Sequence, residues 1–224
     1  MAAAMQPVKR TALYRTSLAL DASMTDHAGW EVAAQFRPPN EEAQRVQDGV
    51  GLADTSWLGK LEVRGKSLDP ETWEIAGGSI WILARGDVLV TCEPEDTPAV
   101  LRELQDRAAA DSEAASAPRL HVMDVTSVYA ALLLAGPSSH DVLQRLTALD
   151  VSDAALPDKS GARTGLAHVH TTILRQDLGD VPAFWLLVGW EYGAYAWDAV
   201  MHAGKAFGIG PTGQTALHRL RGRA

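Results

Sequence analysis

The strongest constraint on this chain is an order of elements that occurs twice. Lys60-Leu61-Glu62-Val63-Arg64 alternates with a period of two and stops at Gly65, the pattern of a half-buried strand. Ser79-Ile80-Trp81-Ile82-Leu83-Ala84 and Val88-Leu89-Val90-Thr91-Cys92 follow, joined by Arg85-Gly86-Asp87, which reads as a hairpin. Thr97 to Arg107 then sets Val100, Leu101 and Leu104 on one helical face. The second half repeats this order. Tyr129 to Ala135 is a strand closed by Gly136, and Pro137 to Leu146 is a helix with proline at its tolerated first position. Ala167 to Leu174 and Phe184 to Val188 are strands separated by a polar loop. Tyr192 to Phe207 is a helix with Tyr192, Ala196, Ala199, Val200, Ala203 and Phe207 inward. Such a chain is α+β, because antiparallel sheets with helices on one face bury both kinds of apolar stripe.

The unpatterned stretch Ala108 to Pro118 divides the halves. The expected units are therefore 11–118 and 119–216, with residues 1–10 a flexible arm and 217–224 a solvated basic tail. Asn40-Glu41-Glu42 after two prolines starts a further helix, Asn capping it and the acids complementing its dipole, and Gly49 and Gly51 end it. The connection Ser67 to Gly78 is too short and too poor in apolar residues to read as a helix.

Composition removes several function classes. A formal net charge of −8 argues against a phosphate-backbone partner. The lone Cys92 allows neither an intramolecular disulfide nor a thiolate metal cage, and its apolar setting reads as a buried structural thiol. No metal site is expected: His168-Val169-His170 reads as two solvent-facing imidazoles on one strand face. Residues 1–10 lack the apolar core of a secretory signal, and no run reaches the ~18 apolar residues of a membrane span. The expected compartment is the cytoplasm, with no membrane and no nucleic acid as partner.

Motifs narrow the reading further. Thr11-Ala12-Leu13-Tyr14 is followed by Asp26-His27-Ala28-Gly29-Trp30-Glu31, then by Glu41-Glu42-Ala43-Gln44-Arg45-Val46 and Asp54-Thr55-Ser56-Trp57-Leu58-Gly59-Lys60-Leu61-Glu62-Val63-Arg64-Gly65. This resembles the glycine cleavage system T protein family, whose pattern runs T-x-L-Y, D-F-x-G-W-E, an E-H helix and D-V-S-H-M-G-K-x-x-V-x-G. The second half resembles a relative of that family, the gamma subunit of heterotetrameric sarcosine oxidase. Those matches run through Met123-Asp124-Val125-Thr126, Leu133-Leu134-Ala135-Gly136-Pro137, Gly161-Ala162-Arg163-Thr164-Gly165 and Pro182-Ala183-Phe184-Trp185-Leu186-Leu187-Val188. Together the matches cover most of residues 11 to 215. The resemblance implies an aminomethyltransferase folate-binding-domain fold, two ferredoxin-like units of βαββαβ type with antiparallel sheets, here without the C-terminal barrel. It implies tetrahydrofolate as cofactor, contacted from Tyr14, Trp30, Asp54, Trp57 and Trp185, and flavoprotein oxidase subunits as partners.

The departures bear on chemistry. The family's G-G-x-x-D-D, whose first carboxylate lies near the folate nitrogens, falls on Gly77-Gly78-Ser79-Ile80-Trp81, with no carboxylate after the glycine pair. Its T-G-Y-T-G-E-x-G-F-E, whose last glutamate holds the pterin ring, ends on Trp185; its G-A-R-D falls on Thr215-Ala216-Leu217-His218; and the histidine of D-V-S-H-M becomes Trp57. One-carbon transfer needs a carboxylate by the acceptor nitrogen, and pterin recognition needs an acceptor for ring donors. The matched positions supply neither, so no residue is assigned a catalytic role. Asp54 and Asp124 read as turn caps, and His27 beside Asp26 as a turn histidine. Three readings stay open: a non-catalytic gamma-like subunit of a sarcosine- or methylamine-oxidising complex, a stand-alone tetrahydrofolate-dependent aminomethyltransferase or demethylase with a remodelled site, and a folate-free scaffold. Trp57 and Trp185 either fill the old ligand cleft or stack on a flat ring in it.

Overall fold

The structure, a computed structural model, describes residues 9–65, 70, 73–113 and 120–222. Its first elements are β1 (Lys9–Arg10), α1 (Tyr14–Ala19), β2 (Ser23–His27), β3 (Trp30–Gln35), α2 (Pro39–Asp48), β4 (Gly51–Asp54) and β5 (Gly59–Gly65). There follow β6 (Gly78–Ala84), β7 (Asp87–Cys92), α3 (Thr97–Glu113), β8 (Leu120–Asp124), β9 (Tyr129–Ala135), α4 (Ser139–Leu143) and β10 (Ser160–Leu166). The chain closes with β11 (Val169–Arg175), β12 (Ala183–Gly189), α5 (Gly193–Ala203), β13 (Gly210–Pro211) and α6 (Gln214–Arg221).

Apolar alternation decides the layering. Along β9, Ala131, Leu133 and Ala135 face one core while Ala130, Leu132 and Leu134 face another. Along β12, Ala183, Trp185 and Leu187 and then Phe184, Leu186 and Val188 divide in the same way. These two strands pair antiparallel at the centre of a six-stranded sheet ordered β10-β11-β12-β9-β4-β13. On its outer face α4 and α5 supply Val142, Leu143, Ala196, Trp197 and Val200. Its inner face meets Trp81 and Leu89 of a four-stranded sheet ordered β6-β7-β5-β8. That second sheet is closed on its far side by Val100 and Leu104 of α3. A small sheet ordered β1-β3-β2 flanks the two, and its Trp30 and Val32 join the inner core. This is the expected α+β architecture of antiparallel sheets with helices on their outer faces.

Several details depart from the sequence expectations. The sheets do not respect the boundary at 118/119, because β4 pairs with β9 and β8 pairs with β5. The basic tail is the helix α6, which buries Ala216, Leu217 and Leu220 and turns His218, Arg219 and Arg221 outward or to the rim. Lys9 and Arg10 of the expected arm pair parallel with Trp30 and Glu31. Residues 1–8, 66–69, 71–72, 114–119 and 223–224 lie outside the described residues, and with them most of the Ala108–Pro118 divide beyond α3, part of the Ser67–Gly78 connection and the end of the tail. The predicted helix from Pro137 to Leu146 shrinks to α4, since Arg145 and Leu146 donate to carbonyls three residues back. β10 is rich in small and polar residues and takes its strand form from pairing with β11. Ala167 and His168 form the turn between those strands, both at positive φ, so His168 and His170 do not share a strand face. Tyr192 lies exposed in a 3₁₀ turn, and Trp197 takes the core position. Gly193 opens α5 because a side chain there would press on Ala12 and Ala130. The glycine closing β9 is conformational: Gly136 has φ +133°, and a Cβ on it would collide with the carbonyls of Val46 and Gly49 at the end of α2.

Three buried ionisable side chains tie these layers together. Asn40 does not cap α2, whose N-cap is Pro38 with no side-chain bond. Instead the fully buried Glu42 accepts from the backbone N–H groups of Phe36 and Arg37, both at 2.6 Å, and of Gly213 at 2.8 Å. One carboxylate thus fixes the entry to α2 and the start of α6. Strand β5 is not half-buried: Lys60 is 0% and Glu62 4% exposed, because the six-stranded sheet covers the polar face. Glu62 accepts from Arg64 at 2.6 Å and from Arg163 of β10 at 3.1 Å, joining the two sheets at one end. Lys60 Nζ donates to the carbonyls of Ser56 at 2.9 Å and Leu58 at 2.8 Å. Burial pulls its pKa down to about 7, against the opposing pull of Asp54 and Asp124.

Two outcomes follow from these staples. Glu42→Ala should lower the unfolding free energy by about 2 kcal/mol or more, since it leaves one buried and two partly buried N–H groups without their acceptor; a urea melt within about 0.5 kcal/mol of a Glu41→Ala control would show that the carboxylate is not a staple. For Lys60, the folded pKa lies below the unfolded value of 10.5, so between about pH 7 and 10 the unfolded chain holds more protons. Stability should therefore rise with pH across that window, by a few kcal/mol at most, and Lys60→Met should flatten the rise. An identical slope in the variant would remove Lys60 as its source.

Candidate ligand-binding cleft

A cleft of about 300 Å³ opens between the two larger sheets. From the four-stranded sheet come Ser79 and Trp81 of β6 and Thr91 and Cys92 of β7, with Glu93 just beyond. From the six-stranded sheet come Leu174 of β11 and Trp185 of β12, with Gln176, Asp177, Leu178 and Gly179 of the loop between them. Leu58, Gly77 and Arg221 complete the described lining. Period two explains the pairing of walls: Trp185 stands opposite Leu133 and Leu174 in the register, on the inner face of its sheet.

The polar groups of this lining are largely committed to one another. Trp81 Nε1 donates to Thr91 Oγ1 at 2.9 Å. Asp177 accepts from Nε of Arg175 at 3.1 Å and from Nη2 at 3.0 Å, and also from the N–H of Ala183. Glu93 accepts from Arg221 Nη1 at 2.8 Å and brings its other oxygen to 3.7 Å from His27 Nε2. His27, Glu93 and Glu95 bring ligand atoms within 4.8 Å of one another, with the Glu93 charge already met by Arg221. Cys92 is buried, its thiol pushed up by desolvation and set against Thr97 at 3.5 Å. In contrast, Trp185 Nε1 is buried without a hydrogen-bond partner.

The five sequence-selected residues do not converge. Trp185 alone of them lines the cleft. Trp57 is core, 2% exposed, with His27 edge-on at 4.4 Å, and does not line the cleft. Asp54 caps its own turn, accepting from the N–H and hydroxyl of Ser56 at 3.0 and 2.6 Å. Desolvation raises its pKa, and the bonds from Ser56 and Thr11 oppose that rise. Asp124 caps likewise, accepting from Thr126 N–H at 2.9 Å. Trp30 is buried in the inner core with the Lys9 ammonium over its ring. Tyr14 sits near the flanking sheet, its hydroxyl 3.4 Å from Glu31 and its ring beneath Arg10. The sequence reading missed Glu93, Asp177 and Arg221. Arg221 was hidden in an apparent tail, although Leu217 and Leu220 have the spacing of a buried helical face.

Chemically, the cleft suits a flat ring: two indoles and three leucines line it. The tetrahydrofolate implied by the sequence resemblance fits poorly. Its ring donors need acceptors, and of those in the described lining the two carboxylates are held by arginines, which leaves chiefly the side-chain carbonyl of Gln176. The volume is also at the low end of the ~300–1,000 Å³ common for drug-sized ligands. Among the described residues, no uncommitted carboxylate lines the cleft to steer a proton.

Comparison with known proteins places this architecture. An aminomethyltransferase of Desulforamulus reducens is 27% identical over 97% of this chain and 64% of its own length. One of Streptomyces coelicolor is 29% identical over 96% and 62%. The sarcosine oxidase alpha subunit of Corynebacterium sp. U-96 is 26% identical over 97% of this chain and 26% of its own length. The chain thus spans less than two thirds of the curated aminomethyltransferases it matches first. Among solved structures, the glycine cleavage system aminomethyltransferase T of Bartonella henselae superposes with a TM-score of 0.75 at 17% identity, covering 96% of this chain and 62% of that one. A chain of the heterotetrameric sarcosine oxidase of Corynebacterium sp. U-96 gives 0.64 at 16% identity, covering 89% and 96%. At such identities these likenesses establish a shared fold. No helix among the described residues is long and apolar enough to cross a membrane. Residues 75–223 match the GCVT N-terminal domain, and the chain belongs to that family.

Proposed function

We propose that this chain is a non-catalytic folate-type domain that acts as a gamma-like subunit beside flavoprotein oxidase subunits, in a cytoplasmic sarcosine- or methylamine-oxidising complex. The observation that carries this reading is the state of the cleft. It is open, yet Trp185 stands where the family pattern has its pterin-holding glutamate, and Glu93 and Asp177 are neutralised by Arg221 and Arg175. A site so arranged binds a ring without a base to move its protons. The subunit role draws support from the sarcosine oxidase chain that this chain covers almost completely. It also draws on an exposed apolar strip, in which Val128, Tyr192 and Tyr195 are about half exposed near Trp190, of the kind that marks protein contacts.

A second reading, a stand-alone tetrahydrofolate-dependent aminomethyltransferase or demethylase, is favoured by the aminomethyltransferase relatives. Calorimetric titration of the full chain with 5-formyltetrahydrofolate separates the two. The subunit reading expects no micromolar binding, together with co-purification of a flavoprotein when the chain is tagged in its native host. Micromolar binding, accompanied by transfer of a one-carbon unit to tetrahydrofolate, would establish the transferase and end the non-catalytic reading.

A further inference from the structure

We propose that the cleft takes a flat heteroaromatic ring through a carbonyl edge, a pteridinedione or similar ring dione, where the family's aminopteridine would present donors. This rests on the reading above only in placing the ligand in this cleft. The argument is one of donors and acceptors. Trp185 is 5% exposed, and of the described residues lining the cleft it alone has a buried side-chain polar atom with no partner. That atom is an indole N–H, which only donates. Its neighbours across the sheet are Leu133 and Leu174, which offer their side chains no acceptor to it. The opposing indole of Trp81 is already satisfied by Thr91.

The rim leans the same way. Asp177 spends both carboxylate oxygens on Arg175, and Glu93 gives one oxygen to Arg221 and turns the other toward His27. Arg221 uses Nη1 on Glu93, and a guanidinium carries five N–H donors, so donors remain on it. Gln176 can accept or donate at the rim, but the buried side-chain group left unpaired in the described lining is a donor, and the ligand that complements it brings a carbonyl oxygen. Because Nε1 exposes less than 1 Å², the indole turns about χ2 as the ring seats, exchanging an unpaired buried donor for a paired one.

The test uses two rings of equal size on the unmodified full chain. 6,7-Dimethyllumazine carries a carbonyl at position 2, with a hydrogen on N1. 6,7-Dimethylpterin carries an amino group at position 2, with N1 unprotonated. Calorimetry at pH 7 should show the lumazine binding at least tenfold more tightly. Trp185→Phe, which keeps an aromatic face and removes the N–H, should bring the two to within about threefold, with a thermal melt confirming that the variant folds. Equal or tighter binding of the pterin, no binding of the lumazine at millimolar concentration, or a preference that survives in Trp185→Phe would each overturn the proposal. The first two of these need no variant. Preference for the lumazine without 5-formyltetrahydrofolate binding supports the inference and the non-catalytic reading together. Micromolar 5-formyltetrahydrofolate binding with one-carbon transfer ends the latter, while the lumazine–pterin ratio still decides the former.

Discussion

Burial of the central sheet on both faces is the constraint from which the rest follows. β9 and β12 place small and branched apolar residues alternately toward two cores, Leu133 and Trp185 to one, Leu132 and Phe184 to the other. An antiparallel sheet that is apolar on one face needs a single cover. This one needs two, and the chain supplies helices outside and a second sheet inside. The second sheet is itself covered by α3, so four layers result. The inner core is the seam between two twisted sheets, and where the sheets diverge the cleft opens.

Most polar groups that enter this seam are answered, as buried polar groups generally are, the indole N–H of Trp185 being an exception. Glu62 draws Arg163 across from the facing sheet at one end. Lys60 folds its amine back onto the carbonyls of the 55–58 turn, the turn that also presents Trp57 and Leu58. Glu42 anchors α6, and α6 carries Arg221 to Glu93 at the mouth of the cleft. The chain of dependence runs from a buried carboxylate in α2 to the Arg221–Glu93 ion pair at the ligand site. Each acidic group of the described cleft lining has an arginine partner, Glu93 with Arg221 and Asp177 with Arg175.

Much of the architecture was legible in the sequence where local pattern and tertiary role agree. The strand β9, the hairpin β6–β7, the helix α3 and the core helix α5 all carry their period in their own residues. The legible part of the site was Trp185, because a motif position and an inward strand position coincide there. Less legible were elements defined by their neighbours. β10 has two glycines and little apolar pattern, and it is a strand only because β11 offers it a ladder. α6 looked like a basic tail because three basic residues among its last four hide two leucines. Lys60 and Glu62 alternate like solvent-facing residues, and only the facing sheet makes them buried.

By itself the sequence determined the class of fold, the order of most elements and the family likeness. These are matters of residue identity and short-range period, which survive in one dimension. Tertiary structure alone decided that Trp57 is core while Trp185 is wall. It alone decided that Glu93 and Asp177 reach the cleft already paired, and that one indole N–H is left without a partner. The reason is that hydrogen-bond satisfaction depends on distances between groups far apart in the chain, Glu93 with Arg221 and Glu62 with Arg163 among them. No periodicity in the sequence encodes those separations.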